Sequence, residues 1–452
     1  MERDNAMKMR KVIVLDVVGL NPDHFAYVDK LPHLGSLAGK GKLYRMKPVF
    51  PAVTLPVQAA LTTGVYPEQN GIVANGFYCR QSFNVSFWEQ AAGLVQHERI
   101  WDYLHRSPSG LTTAVLFMQN TLYADCGCVV TPKPMHTDEG LVPWCYSKPV
   151  GFYEEISADI GPFNLMHYWG PMTSIESSRW IAKAAVKTLE RIRPDLMFVY
   201  LPHLDYCSQK VGPDSPVVMD ELMLVDAEVG RIVQGVDDLG MRDETVFVVL
   251  SEYAFSKVQG DIAINLILRE NGLLSTRSIQ GRDYVDFELT PAFAMVDHQI
   301  AHIYLKPGYE KAVQRVLEKV SGIDFLLARE GKKRFQVDHA NSGEIIAVSA
   351  RNRWFSYYWW DDRKREPDFA GHVDIHRKPG YDPLELFLEQ GSRRISQDTS
   401  LIHGSHGYPP LSPDDDVPLL VSGDLPDNLQ ALNPNELCIT GVPALIAEIL
   451  QR

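Results

Sequence analysis

Cysteine is scarce in this chain, with six in 452 residues. They stand at Cys79, Cys126, Cys128, Cys145, Cys207 and Cys438, and no spacing among them makes a zinc knuckle. The one close pair, Cys126-Gly-Cys128, is too little for a metal motif, so free thiols in a reducing, cytoplasmic setting are expected. Long apolar runs are also missing. The first, VIVLDVV, is short and carries an Asp, and the start of the chain, MERDNAMKMRK, is charged. Neither a signal peptide nor a membrane span is therefore expected. Basic excess is absent as well: 44 Lys and Arg against 57 Asp and Glu give −13. That excludes a general nucleic-acid coat but not a small phosphate ester in a local pocket. There is no internal repeat and no low-complexity tract. GSLAGKG (35–41) is no phosphate loop, because its spacing is wrong and no Ser or Thr follows Lys40.

What is present is the composition of an ordinary globular chain, 45% hydrophobic and 22% charged, long enough to bury a large core. Short apolar runs alternate with longer helical patterns. KVIVLDVV (11–18), TAVLFM (113–118), DLMFVYLP (195–202) and TVFVVLSEY (245–253) read as strands. Residues 31–41, 174–192, 218–236 and 442–451 read as helices. This predicts an α/β fold with a mainly parallel central sheet flanked by helices. The core is expected to comprise 1–289 and 401–452, with an irregular Trp- and Pro-rich insertion over the sheet at about 80–170. Residues 290–400 read as a smaller inserted α+β cap.

Four features gather at predicted strand ends: Asp16, Thr54, Asp205 and Glu252. In a parallel sheet these ends converge on one crevice, where ligands bind. Close carboxylates repel unless a cation lies between them, so the cluster argues for metal. Thr54 opens a predicted helix that has Pro56 in its first turn and closes at Gly64. Such a hydroxyl is either an N-cap or a nucleophile beside the unpaired N–H groups that attract an anion. His406 lies within GSHGY. His203 precedes Asp205 by two residues and shares its face if the strand runs on. His298, His302 and His376 are further candidates, although for any one histidine alone a hydrogen-bonded structural role is the more usual one. Carboxylates with imidazoles suit zinc, and paired ions suit displacement at phosphorus.

In order and spacing, VLDVVGL, TLP followed by TTGVYPEQNGIVANGFY, YLPHLDYCSQKVGPDSP, VVLSEYAF and GSHGY resemble the alkaline-phosphatase superfamily. The branch they resemble is that of the nucleotide pyrophosphatases/phosphodiesterases, over residues 11 to about 425. The resemblance implies an alkaline-phosphatase-like fold with Thr54 as nucleophile, Asn75 holding the phosphate, and Asp16, Thr54, Asp205 and His406 at a site for one or two divalent ions. Zinc is the ion implied, with Mn²⁺ or Mg²⁺ as harder alternatives. The departures matter too. Gln209 and Tyr253 stand where the family has His, Glu252 where it has Asp, and Val57-Gln58 where it has Asn-His. Glu252 can still ligate; Gln209 and Tyr253 are weak ligands. His203, His298 or His376 would be the substitutes from elsewhere in the chain.

The implied activity is metal-dependent hydrolysis of a small phosphodiester or phosphate ester through a phosphoryl-Thr54 intermediate, with Asn75 and the Leu55 N–H stabilising phosphoryl charge. The lost imidazoles motivate an alternative: a catalytically weak or inactive relative that binds a phosphorylated metabolite or a partner. A sulfatase is excluded, because Thr54-Leu-Pro-Val-Gln58 lacks the Cys/Ser-x-Pro-x-Arg pattern; a phosphomutase of the same superfamily stays open, although no phosphosugar signature is visible. In the cap, HRKPGYD and WFSYYWW (354–360) would set substrate choice through cations and stacking rings, or else the aromatic run is core or a subunit interface.

Overall fold

Three predominantly apolar runs are buried on both faces, as strands of a helix-covered parallel sheet must be. The computed structural model describes residues 10–106, 110–423 and 437–451. The charged start of the chain, expected to be neither signal nor anchor, lies almost wholly outside them. Among the described residues no helix is long and apolar enough to cross a membrane.

Seven strands of the central sheet come first: β1 (Lys11–Val17), β2 (Gly41–Met46), β3 (Thr113–Leu116), β4 (Cys128–Pro132), β5 (Cys145–Lys148), β6 (Leu196–Leu201) and β7 (Thr245–Leu250). A separate antiparallel sheet follows, formed by β8 (Ala292–Asp297), β9 (Ile300–Leu305), β10 (Ile323–Leu327) and β11 (Ile345–Ser349) in the order β8-β9-β11-β10. Then β12 (Val417–Ser422) returns to the central sheet, whose order is β2-β12-β7-β1-β6-β3-β4-β5. Strands β7, β1, β6, β3 and β4 are parallel, with antiparallel partners β12 and β5 outside them.

The flanking helices are α1 (Pro32–Gly39), α2 (Thr54–Thr63), α3 (Glu176–Arg191), α4 (His203–Val211), α5 (Pro216–Asp238) and α6 (Val442–Leu450). Each sheet has its own apolar core. The fold is thus a mixed α/β architecture with a large, mostly parallel sheet flanked by helices.

One expectation needs correction, and one open alternative is decided. The stretch 80–170 is not merely laid over the sheet, because β3, β4 and β5 complete one of its edges. These strands are four or five residues long, and prolines hide two of them. The aromatic run 354–360 is core. Trp354, Phe355, Tyr357 and Trp359 are at most 1% exposed, and Trp359 and Trp360 pack edge to face at 5.0 Å. Direct stacking of these rings on a substrate is set aside.

Candidate active site

The register of the sheet explains how three carboxylates meet. β1 lies between β7 and β6, and Asp16 is paired in register with Leu250 on one side and Tyr200 on the other. The chain leaves β7 through Glu252 and leaves β6 into α4, which carries Asp205 in its first turn. Three adjacent strands therefore deliver Glu252, Asp16 and Asp205 to one end of the sheet. Asp16 and Glu252 are fully buried, and Asp205 is 7% exposed.

Thr54 is the first residue of α2, a ten-residue helix closed by Gly64 at φ 75°. Its Oγ1 lies 3.3 Å from the Tyr253 hydroxyl. The helix start is less open to an anion than expected. The Leu55 N–H donates to Asn75 Oδ1 at 2.9 Å, Val57 N–H donates to the Val53 carbonyl, and Pro56 has no N–H. Asn75 is in turn gripped by Asp297, whose two oxygens accept from its backbone N–H (2.8 Å) and its side-chain amide (3.0 Å).

On one side of Thr54, both oxygens of Asp16 and Oε2 of Glu252 are buried without a hydrogen-bond donor. Glu252 Oε1 accepts from Gln58 Nε2 at 2.6 Å, and Gln58 Oε1 accepts from the Gln119 N–H at 2.6 Å. Burial lifts the Asp16 carboxyl to about 7, against the pull of its contact with Glu252. Glu252 is held well above its ordinary range by burial and then by the charge of Asp16, with the Gln58 amide and Thr54 hydroxyl in opposition. Such oxygens call for a shared proton or a cation.

On the other side every carboxylate oxygen is occupied. Asp205 Oδ1 accepts from the Tyr253 hydroxyl at 3.0 Å, and Oδ2 accepts from Gln209 Nε2 at 2.7 Å. Asp205 and Gln209 are four residues apart on α4, hence on one face. Burial still raises Asp205 to about 7. His406 Nδ1 donates to the Ala52 carbonyl at 2.9 Å. That leaves the Nε2 lone pair facing Asp205 Oδ1 at 3.6 Å. Burial keeps this imidazole neutral, pushed down to about 3.

The GSHGY segment reaches this position because Gly404 packs on α4. A Cβ there would lie 2.1 Å from the Ser208 carbonyl oxygen. Gly407, at φ 104°, then turns the chain away.

Several sequence expectations fail here for clear reasons. The strand ends at Leu201 and a helix begins at His203, so His203 and Asp205 do not share a face. His203 Nε2 instead pairs with Glu221 at 2.5 Å on α5. His376 lies against the Phe87 carbonyl, and His302 braces the Val73 carbonyl and the Gly343 N–H. None of these three joins the cluster. In HRKPGYD the cations are spent internally: Arg377 pairs with Asp368 and Asp374, and buried Lys378 pairs with Asp382 and Glu385.

The residues that sequence reasoning missed are Gln58 as a clamp on Glu252, Asp297 as the clamp on Asn75, and Tyr381. Tyr381 donates to Gln209 Oε1 at 2.9 Å. His298 does reach the site, its ring tilted by 36° against that of His406 with centroids 3.7 Å apart. Segment 290–400 thus builds the floor of the site rather than only covering it.

Residues 12–382 match the family model "Type I phosphodiesterase / nucleotide pyrophosphatase". The chain belongs to that family. This branch of the alkaline phosphatase superfamily is one of hydrolases, generally dependent on divalent metal. A Schizosaccharomyces pombe protein named as a pyrophosphatase/phosphodiesterase is 23% identical over 54% of this chain and 44% of its own length. The mouse bis(5'-adenosyl)-triphosphatase is 23% identical over 76% of this chain and 65% of its own. The chain spans less than two thirds of the length of the curated relatives it matches first.

Among solved structures, murine ectonucleotide pyrophosphatase/phosphodiesterase 5 superposes with a TM-score of 0.61 at 17% identity, covering 98% of this chain and 95% of that one. It has also been solved with AMP. The phosphonoacetate hydrolase of Sinorhizobium meliloti 1021 gives 0.64 at 17% identity, covering 99% and 98%. These two likenesses speak for the shared fold.

The residues fit the family's metal only in part. Among the described residues no group of three or more His, Cys, Asp or Glu is placed to hold an ion. The orphaned oxygens of Asp16 and Glu252, with the Thr54 hydroxyl, suit one hard divalent cation. The Asp205 side does not fit a second, because donors from Tyr253 and Gln209 occupy both carboxylate oxygens and only the His406 Nε2 offers a lone pair beside them.

Proposed function

We propose that this protein hydrolyses a phosphodiester or pyrophosphate bond in a small molecule, with Thr54 as nucleophile. The observation that carries this reading is the Thr54 hydroxyl at the head of α2, beside three donorless carboxylate oxygens of Asp16 and Glu252. Names of relatives support the reaction class, from pyrophosphatase/phosphodiesterase to bis(5'-adenosyl)-triphosphatase.

Thr54 Oγ1 would attack phosphorus in line as the bond to the leaving oxygen breaks opposite it, leaving a phosphoryl-threonine that water hydrolyses. Asp16, Glu252 and the Thr54 hydroxyl would hold a divalent cation, which when bound supplies charge that favours the alkoxide and offsets the phosphoryl oxygens. Mg²⁺ or Mn²⁺ suits this all-oxygen set better than zinc. Asn75, fixed by Asp297, keeps one amide N–H for a phosphoryl oxygen. Glu252 is oriented by Gln58.

The reading is tested with bis-p-nitrophenyl phosphate and dinucleoside polyphosphates in the presence of Mg²⁺, Mn²⁺ or Zn²⁺. Turnover by the parent that Thr54→Ala abolishes is expected. Equal turnover by both proteins overturns it. A second reading, a weak or inactive relative that binds a phosphorylated metabolite, is favoured by one observation: Thr54 is only 4% exposed. Binding of a nucleotide without turnover under any metal selects it.

A further inference from the structure

Asp205, Gln209, Tyr253 and His406 form a closed unit. The Tyr253 hydroxyl stands between Asp205 Oδ1 at 3.0 Å and Thr54 Oγ1 at 3.3 Å. That is where a cation shared by the carboxylate and the nucleophile would lie. We propose that Tyr253 and Gln209 fill this position permanently with protein atoms, so that the chain takes no ion between Asp205 and His406. Here the phenol ties the nucleophile to Asp205, and the carboxamide covers the other carboxylate oxygen.

Two features that share Tyr381 hold the two residues in place. Gln209 cannot turn its carbonyl toward Asp205, because its Oε1 accepts from Tyr381 while its Nε2 donates to Oδ2 at 2.7 Å. Tyr253 lies flat on His406, with centroids 3.6 Å apart and planes 4° from parallel. The column of rings continues, with a 36° tilt, through His298 at 3.7 Å to Tyr381 at 3.9 Å. Tyr381 thus ends a column of four rings and also fixes the Gln209 amide. Moving the Tyr253 hydroxyl aside breaks both the column and a hydrogen bond to a buried carboxylate, a costly exchange.

The carboxylate itself has no need of an ion. Both its oxygens have donors, unlike the three orphaned oxygens of Asp16 and Glu252. His406 keeps a ligand-like tautomer, its Nδ1–H on a carbonyl and its Nε2 bare. What is lacking is a third lone pair and the space for an ion.

The inference rests on the proposed function only in where it places Thr54, and ion counting tests it without turnover. Chelated protein is dialysed against Zn²⁺ or Mn²⁺ alone, and bound ions are counted by elemental analysis, with a circular-dichroism melt for each variant. In the parent, Asp205→Ala is expected to leave the count unchanged. The double variant Gln209→His/Tyr253→His puts an imidazole four residues after Asp205 on the same helix face and withdraws the phenol. It is expected to bind one more Zn²⁺ per chain than the parent, and to lose that ion when Asp205→Ala is added.

A parent that loses one ion on Asp205→Ala overturns the inference, whether or not the double variant folds. A folded double variant with no added ion also overturns it. Failure of the parent to turn over any phosphodiester counts against the proposed function and leaves both ion counts standing.

Discussion

The two sides of Thr54 solve the same electrostatic problem in opposite ways. Asp16 and Glu252 face each other with three buried oxygens lacking donors. Asp205, on the other side of Thr54, has a donor on each oxygen. An unpaired buried carboxylate is destabilising until a proton or cation joins it, whereas a hydrogen-bonded one is part of the scaffold. One side is therefore poised to accept something from outside the chain, and the other is already complete. Tyr253 and Gln209 mark the boundary between them.

The largest effect should come from the residue that both sides share. Thr54→Ala should lower kcat on bis-p-nitrophenyl phosphate about a thousand-fold or more, with an unchanged melting temperature, and Thr54→Ser should retain part of the rate. Next, Tyr253→Phe should destabilise the protein by about 1–3 kcal/mol in urea unfolding, because it strips a donor from buried Asp205 while keeping the ring on His406. A cost near zero would mean that the complete side is not held by that hydroxyl.

The poised side should respond in the opposite sense. Asp16→Asn should stabilise the chelated protein by about 1 kcal/mol, since the new amide can donate to the Glu252 oxygen and removes a charge, yet it should abolish turnover. Destabilisation by this variant would show that the Asp16 oxygens have partners after all.

The smallest effect lies far from the crevice and serves as a reference for a carboxylate paired with cations. Burial alone would raise Asp283, but the guanidiniums of Arg365 and Arg269 outweigh it and hold the carboxyl below its usual 3.8. The unfolded chain then takes up the proton first. The stabilisation is complete above about 4 and is lost as pH falls through the lowered folded value. Arg365 is half exposed, so the effect is screened. Unfolding curves between pH 2 and 5 should show a shallower acid limb for Asp283→Asn than for the parent.

Much of this was legible in residues alone. The central strands announce themselves because a parallel sheet covered on both faces needs unbroken apolar runs such as LMFVYL and TVFVVL. Chain exits from adjacent strands bring Asp16, Asp205 and Glu252 together, so their placement followed from that assignment. His203 was misplaced for a local reason: two residues apart means the same face on a strand and different faces on the helix that begins there. Asp297 and Tyr381 could not be read, because their partners Asn75 and Gln209 lie 222 and 172 residues away. No periodicity reports a pairing across that distance. The WFSYYWW run was ambiguous because aromatic density marks a core and a binding face alike.

The tip between β8 and β9 has a mechanical consequence. Asp297 holds Asn75, the His298 ring lies on His406, and the Gln299 N–H donates to the His406 carbonyl at 2.9 Å. Two sheets with separate apolar interiors are thus riveted at the one place where chemistry is proposed. A small sheet transplanted from a relative would have to carry its own matching rivets. Otherwise the graft would tear the floor from beneath the nucleophile while both interiors stayed intact. Anything seated on Thr54 should correspondingly slow amide exchange in β8 and β9, strands that it never touches.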